Sequence, residues 1–253
     1  MESLIGYILF FLSGLLFGLF GAGGSLITIP ILMLFFSISF KFSTLYSLII
    51  VFLISFFGVI LSSNSNFYKF KSIVFFGIAS LFGVFLSRNF LFEIIEEEIL
   101  ERFFVLFLFF AGLLMFVKKK NQLNKLVKEK ITFFKKIALI FQGFLIGNLT
   151  GLLGVGGGFL IVPVLIVFQK FNIKEAAKAS MFVIFLNSWL AIIIDFSNDL
   201  FDIHLPLLSF IILFSVIGLL VGKRIQSKLD LKIMHMLFAF FLIIISLFVW
   251  FNI

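Results

Sequence analysis

Two stretches of this chain could do chemistry without a titratable side chain. Gly18-Leu19-Phe20-Gly21-Ala22-Gly23-Gly24-Ser25, followed by Pro30 and Leu32, matches Gly151-Leu152-Leu153-Gly154-Val155-Gly156-Gly157-Gly158, followed by Pro163 and Leu165, at an offset of 133 residues. Each lies in an apolar region. A helix interrupted there leaves backbone N–H and C=O groups that must be satisfied by protein, water or a ligand. Glycine lets other groups approach such backbone closely. The helix that starts after each break has free N–H groups at its first turn and about half a positive charge from its dipole. The chemistry this predicts is anion binding by main chain.

The backbone of Gly23, Gly24, Gly156, Gly157 and Gly158 is therefore the expected seat of an anion, with Gly21 and Gly154 as the breaks. Pro30 and Pro163 lie about a turn and a half into the following helices, where each leaves a carbonyl without its N–H partner. Ser25 and Thr28 near the first break, and Asn148 and Thr150 near the second, are expected to complete the site. Ser47 and Ser180, themselves 133 apart, and Asn187 and Ser188 lie on later helices that could face the same cavity. A second reading stands beside this one. Gly14/Gly18 and Gly143/Gly147/Gly151 have the spacing of helix-packing glycines, and a serine inside a membrane helix often bonds its own backbone.

Ionisable groups are scarce in the apolar segments, and Asp195, near an expected outer end, is the nearest candidate for a proton relay. His204 and His235 stand alone without ligand spacing, and there is no cysteine, so neither a metal site nor a cofactor is expected. Paired carboxylates and a nucleophile–base pair are likewise missing, which argues against an enzyme.

These residues need a membrane to position them. Of 253 residues 62% are hydrophobic and 13% charged, and the mean hydropathy is +1.29. A water-soluble surface needs about twice that charged fraction, so the chain reads as an all-α polytopic membrane protein. The first residues lack a basic signal-peptide region, so residues 4–20 read as a retained helix. The remaining apolar segments fall at 25–36, 44–61, 73–87 and 103–117, then at 137–153, 159–169, 179–195, 207–222 and 235–251. The expected organisation is one membrane domain over 1–253, with repeat one at 1–117, a basic linker at 118–136 and repeat two at 137–253.

The second segment of each repeat is short, about 18 Å for residues 25–36 at the helical rise, against a hydrocarbon core of about 30 Å. Either it joins the first segment as one broken span, or the two form a hairpin that returns to the same side. With hairpins and a cytoplasmic linker, 17 of the 20 basic residues fall inside, leaving Lys41, Arg88 and Arg102 in outer loops; with single spans the split is even. The positive-inside rule selects the hairpins. Each repeat is then a glycine-broken hairpin followed by three transmembrane helices, the repeats are inverted, and both termini face outward. The acidic run Glu93–Glu101 reads as a solvated outer loop or surface helix. The linker lysines read as a topology signal that touches anionic lipid, not as a nucleic-acid site, despite the net charge of +8.

The paired glycine elements resemble those of the TauE/SafE sulfite-exporter family of membrane transporters, as do the regions of Ser47 and Ser180 and the small-residue helices around Gly83 and Gly218. Ser25 stands where that family's third consecutive glycine is usual, and the acidic run and basic linker are not part of its pattern. The resemblance implies export or uptake of sulfite, sulfonates such as sulfoacetate, or related organic acids. It carries function onto Gly23, Gly24, Gly156, Gly157, Gly158, Pro30 and Pro163. The expected function is alternating-access transport of such an anion in a bacterial cytoplasmic (plasma) membrane, with the anion and the lipid bilayer as partners and a homo-oligomer left open. An anion channel and a non-transporting membrane scaffold are the alternatives.

Overall fold

The computed structural model describes residues 2–20, 24–61, 70–116, 133–167, 169, 171, 173–198, 204–225 and 231–251. These are helical nearly throughout: α1 (Glu2–Phe20), α2 (Ser25–Phe36), α3 (Phe40–Ile60), α4 (Phe70–Leu86), a π-helical turn (Ser87–Leu91), α5 (Phe92–Ile94), α6 (Glu97–Phe116), α7 (Phe133–Leu153), α8 (Gly158–Val167), α9 (Ile173–Ser197), α10 (Leu205–Ile225) and α11 (Leu231–Trp250). All ten expected segments are present. Most begin several residues before their apolar runs, because polar first turns such as Lys41–Thr44 complete a helix that hydropathy alone truncates. The expected linker lies outside the described residues except for 133–136, which form the first turn of α7.

Five helices among the described residues are long and apolar enough to cross a membrane: Phe40–Ile60, Ser72–Ile94, Lys136–Leu153, Glu175–Ser197 and Leu205–Ile225. Ile78, Phe82, Phe110, Phe141 and Ile244 project from the bundle with more than half their surface exposed. Apolar groups in that position suit hydrocarbon and not water. The protein is an all-α, multi-pass membrane protein.

The short helices α2 and α8 end in the same way. Ile38 N–H donates to the Leu32 carbonyl at 3.2 Å, and Phe171 N–H donates to that of Leu165 at 3.1 Å. Each bond reaches six residues back, closing a wide turn on a carbonyl of the last turns, and the left-handed Ser37 makes the turn after α2. The start of α3 borrows its cap from another helix: Lys41 N–H donates to Glu97 Oε1 at 2.9 Å. The acidic run thus forms α5 and the first turn of α6, with Glu93 accepting from Asn198 Nδ2 at 2.6 Å and Glu98 paired to Arg102 in solvent.

Helices of the first half pack chiefly on helices of the second. α1 lies against α10 and α4 against α7, while α3 pairs with α9 and α6 with α11. At the two tightest crossings glycine meets backbone. A side chain at Gly14 or Gly18 would strike the Ser215 or Leu219 carbonyl, and one at Gly218 or Gly222 the Phe11 or Leu15 carbonyl. Gly83, Gly143 and Gly147 meet Phe144, Phe76 and Ser80 in the same way across α4 and α7. Lipid supplies no hydrophobic drive between helices, so close backbone packing of this kind is what holds them. The α3–α9 pair is antiparallel: Gly58 abuts Met181 near one end, Phe52 stacks on Phe185 at 5.0 Å, and Thr44 and Asp195 share a partner near the other end.

Gly147→Val should lower the thermal midpoint in detergent by several degrees, in line with an overpacking cost of about 1–3 kcal/mol. Gly77→Ala, whose new methyl meets only Val183 at 3.9 Å, should leave it nearly unchanged. Glu97→Ala removes the cap of α3 and should cost about 1 kcal/mol, read as a lower midpoint.

Candidate functional site

The second glycine break is fully described and fully buried. α7 ends with Gly154 N–H donating to the Thr150 carbonyl at 3.0 Å, and α8 begins with Leu160 and Ile161 N–H both donating to the Gly157 carbonyl. Between them Gly156 and Gly157 hold φ of 68° and 71°, a left-handed conformation that L side chains rarely take. Space excludes a side chain as firmly. A methyl at Gly156 would press on Val51 of α3 and Ile184 of α9, and one at Gly157 would overlap the Thr150 hydroxyl. Val51 and Ile184 lie near the middle of their helices, so the interrupted backbone passes the midpoint of the α3–α9 pair. Gly158 starts α8, whose first N–H groups have no acceptor within the helix. Beside Gly157 and Thr150 is a cavity of about 10 Å³ walled by Phe107, Leu149, Leu153, Val155 and Leu160, room for about one water.

The first break is described only from Gly24 onward; Gly21 and Gly23 lie outside the described residues, as does the side chain of Ser25. Gly24 is right-handed, with φ −60°, and caps α2 through Ile27 N–H on its carbonyl. What demands glycine there is proximity, since a Cβ would enter the Ser13 carbonyl of α1. Both α2 and α8 run through their prolines, Pro30 and Pro163.

Most expected polar side chains bond their own helices. Thr28 Oγ1 donates to Gly24 O at 3.2 Å, Asn148 Nδ2 to Phe144 O at 2.9 Å, Thr150 Oγ1 to Ile146 O at 2.8 Å and Ser180 Oγ to Ala177 O at 2.8 Å. Ser47 differs. Its hydroxyl is buried and makes no hydrogen bond, and the same holds for Ser188 Oγ and Asn187 Oδ1. Asn187 Nδ2 crosses to Ser80 Oγ on α4 at 2.7 Å. Ser47 lies three residues from Thr44, which abuts Gly154, and four from Val51, which abuts Gly156. That spacing puts all three on one face of α3, toward the break.

The sequence reading missed a buried ion pair at this break. Arg88 was expected in an outer loop. Instead it sits in the π-helical turn after α4, 1% exposed, with its guanidinium in a fork on Asp195 of α9: Nε to Oδ1 at 2.5 Å and Nη2 to Oδ2 at 2.6 Å. Nη1 donates to the Gly151 carbonyl and Nη2 to Thr44 Oγ1, each at 3.1 Å. The Phe92 ring stacks on the guanidinium, 3.6 Å from ring centre to Cζ. The apolar segments thus hold a buried ionisable pair near one end of the α3–α9 pair. The available signal was Asp195 itself, since an acid inside an apolar segment calls for a cation partner. Hydropathy ended α4 at Ser87 and so placed Arg88 beyond it. A π turn widens a helix locally, and here that turn carries the arginine.

Breaking such a pair leaves one buried charge alone. Arg88→Ala should cost about 3–5 kcal/mol, whereas the double change Arg88→Met with Asp195→Leu should regain most of it; comparing detergent melting midpoints checks both.

Comparison with known proteins agrees with this architecture. The chain is 28% identical over 183 residues to a probable membrane transporter protein of Methanocaldococcus jannaschii, covering 70% of this chain and 66% of that protein. It is 49% identical over 45 residues to a probable membrane transporter protein, YunE, of Bacillus subtilis, covering 18% and 16%. The chain therefore spans just under two thirds of the first relative and a small part of the second. No solved structure matches. The model of the sulfite exporter TauE/SafE family matches residues 7–249, nearly the whole sequence, and the chain belongs to that family.

Proposed function

We propose that this protein is a secondary transporter of small anions, with sulfite, sulfonates and related organic acids as the substrate class, working by alternating access between two inverted repeats. The observation that carries the reading is the break at Gly154–Gly157: left-handed backbone, closed in by α3 and α9 at their midpoints, leading into the N-terminus of a short helix. Broken backbone at that depth is tolerated only where it is buried in protein or lines a path for solute. A half-helix N-terminus aimed at an anion near the midplane is a common transporter arrangement.

The repeat arrangement has support of its own. The pairing of α1 with α10 becomes that of α7 with α4 when the halves are exchanged, while α3–α9 and α6–α11 map onto themselves. The matching caps of α2 and α8 follow the same exchange. Together with the distribution of basic residues, this favours repeats over 1–117 and 137–253, a cytoplasmic linker, outward termini and a location in the cytoplasmic membrane. A potential negative inside would drive an anion outward by about 2.3 kcal/mol per charge per 100 mV, so export needs no further energy source. Both relatives' names, probable membrane transporter proteins, agree with transport, and the family description agrees with sulfite as first substrate to try.

The test is uptake of labelled sulfite into proteoliposomes under an imposed potential, with sulfoacetate, sulfate and chloride as competitors. Saturable flux is expected, lost by at least 100-fold in Gly157→Leu and reduced in Gly157→Ala, for protein that still elutes as a single folded species. Full flux in folded Gly157→Leu would remove the break from the mechanism. Conductance far above carrier turnover, without trans-stimulation, would make the protein a channel.

A further inference from the structure

We propose that Arg88 is the cationic residue of an anion seat at the second break, and that the Asp195 carboxylate occupies the substrate's place on it in the closed arrangement described here. The inference rests on the transport reading in one respect: it takes the ligand to be a small oxyanion.

The guanidinium is a planar fork that receives two oxygens of a carboxylate, sulfite or sulfonate in the same geometry. Asp195 fills that fork with both oxygens, at 2.5 and 2.6 Å. The remaining bonds of the guanidinium tie it to the break. Nη1 holds the carbonyl of Gly151, first residue of the glycine motif, and Nη2 holds Thr44, the residue against Gly154. These bonds stay in place if the carboxylate leaves, so the fork would be kept aimed for a replacement anion. Lys41 lies on the Phe92 ring that also carries Arg88, 5.5 Å from its centre, and adds positive potential at this end of the bundle.

The unpartnered hydroxyl of Ser47 points to such a replacement. It is fully buried, one turn from Thr44 and on the same face of α3, about 4.5 Å further along the axis toward Gly156. A small oxyanion held by Arg88 would turn a further oxygen toward that level, and Ser47 would donate to it. A purely structural ion pair leaves this buried hydroxyl unexplained, although burying one without a bond is costly. Moving down α3, Arg88 and Thr44, then Ser47, then the Gly156 backbone form a polar line through an apolar bundle.

The experiment measures binding of sulfite, with sulfoacetate as second probe, to the purified full chain by titration calorimetry and by ligand-induced thermal shift. Asp195→Asn removes the competing carboxylate and should bind at least tenfold more tightly than wild type. Ser47→Ala should weaken binding several-fold while leaving the ligand-free melting midpoint unchanged. The Arg88→Met/Asp195→Leu double variant fills the same volume with apolar groups, so it should fold and bind no anion. Asp195→Asn binding no tighter than wild type, or a double variant that binds sulfite normally, would overturn the proposal. If Asp195→Asn alone does not fold, the other two variants decide. Binding that needs Arg88 in a protein that moves no anion would sink the transport reading and leave the seat standing. Flux that persists in the double variant would do the reverse.

Discussion

Hydrocarbon offers nothing to a backbone N–H or C=O, and each such group left facing it costs several kcal/mol. This chain interrupts its helices at two places inside apolar sequence, so every other element has to keep lipid away from the interruptions. The short helices α2 and α8 cannot do this alone, since at about 18 and 15 Å they fall short of the hydrocarbon core. They are enclosed instead: α2 by α1 and α3, α8 by α7 and α9. The antiparallel α3–α9 pair supplies the wall against which Gly156 lies. The tight α1–α10 and α4–α7 crossings then bring the two halves close enough for that wall to be continuous.

Glycine serves two separate ends in this arrangement. In α1, α4, α7 and α10 it is a surface without side chains that lets one helix rest on the carbonyls of another, where even a methyl would strike backbone. At Gly156 and Gly157 the requirement is sharper, because left-handed backbone and a filled neighbourhood coincide. Gly24, which matches Gly157 at the 133-residue offset, is right-handed and shows only the steric demand. These two matched positions are alike in sequence and different in what they ask of glycine.

Charge enters the bundle where the break needs orienting. A forked arginine–carboxylate pair between α4 and α9 also binds the Gly151 carbonyl, so the end of α7 is tied to both halves at once. At the other end of the α3–α9 pair, Lys223 of α10 donates to the Gly58 carbonyl at 2.8 Å. Since α10 stands to α3 as α4 stands to α9, a cation closes each end of the pair, an ion pair at one and a charge on a carbonyl at the other. Buried ion pairs add little net stability but demand a defined geometry, and here that geometry fixes the end of α7.

Much of this was legible in the sequence. Apolar runs located all ten segments, and the spacing of Gly14/Gly18 and Gly143/Gly147/Gly151 announced close packing. These features are local: hydropathy, helix length and glycine spacing are written into consecutive residues by the solvent the chain must face. What the tertiary structure alone decided was partnership between distant residues. Arg88 looked like a loop residue because hydropathy ended α4 before it, and only the π turn and the arrival of Asp195, 107 positions later, turned it inward. Thr28, Asn148, Thr150 and Ser180 looked like donors for a site, yet each bonds its own helix. Ser47 and Ser188 carry unpartnered hydroxyls instead. One-dimensional sequence fixes which groups are polar, but which of them find a partner depends on helices that meet only once the chain is folded.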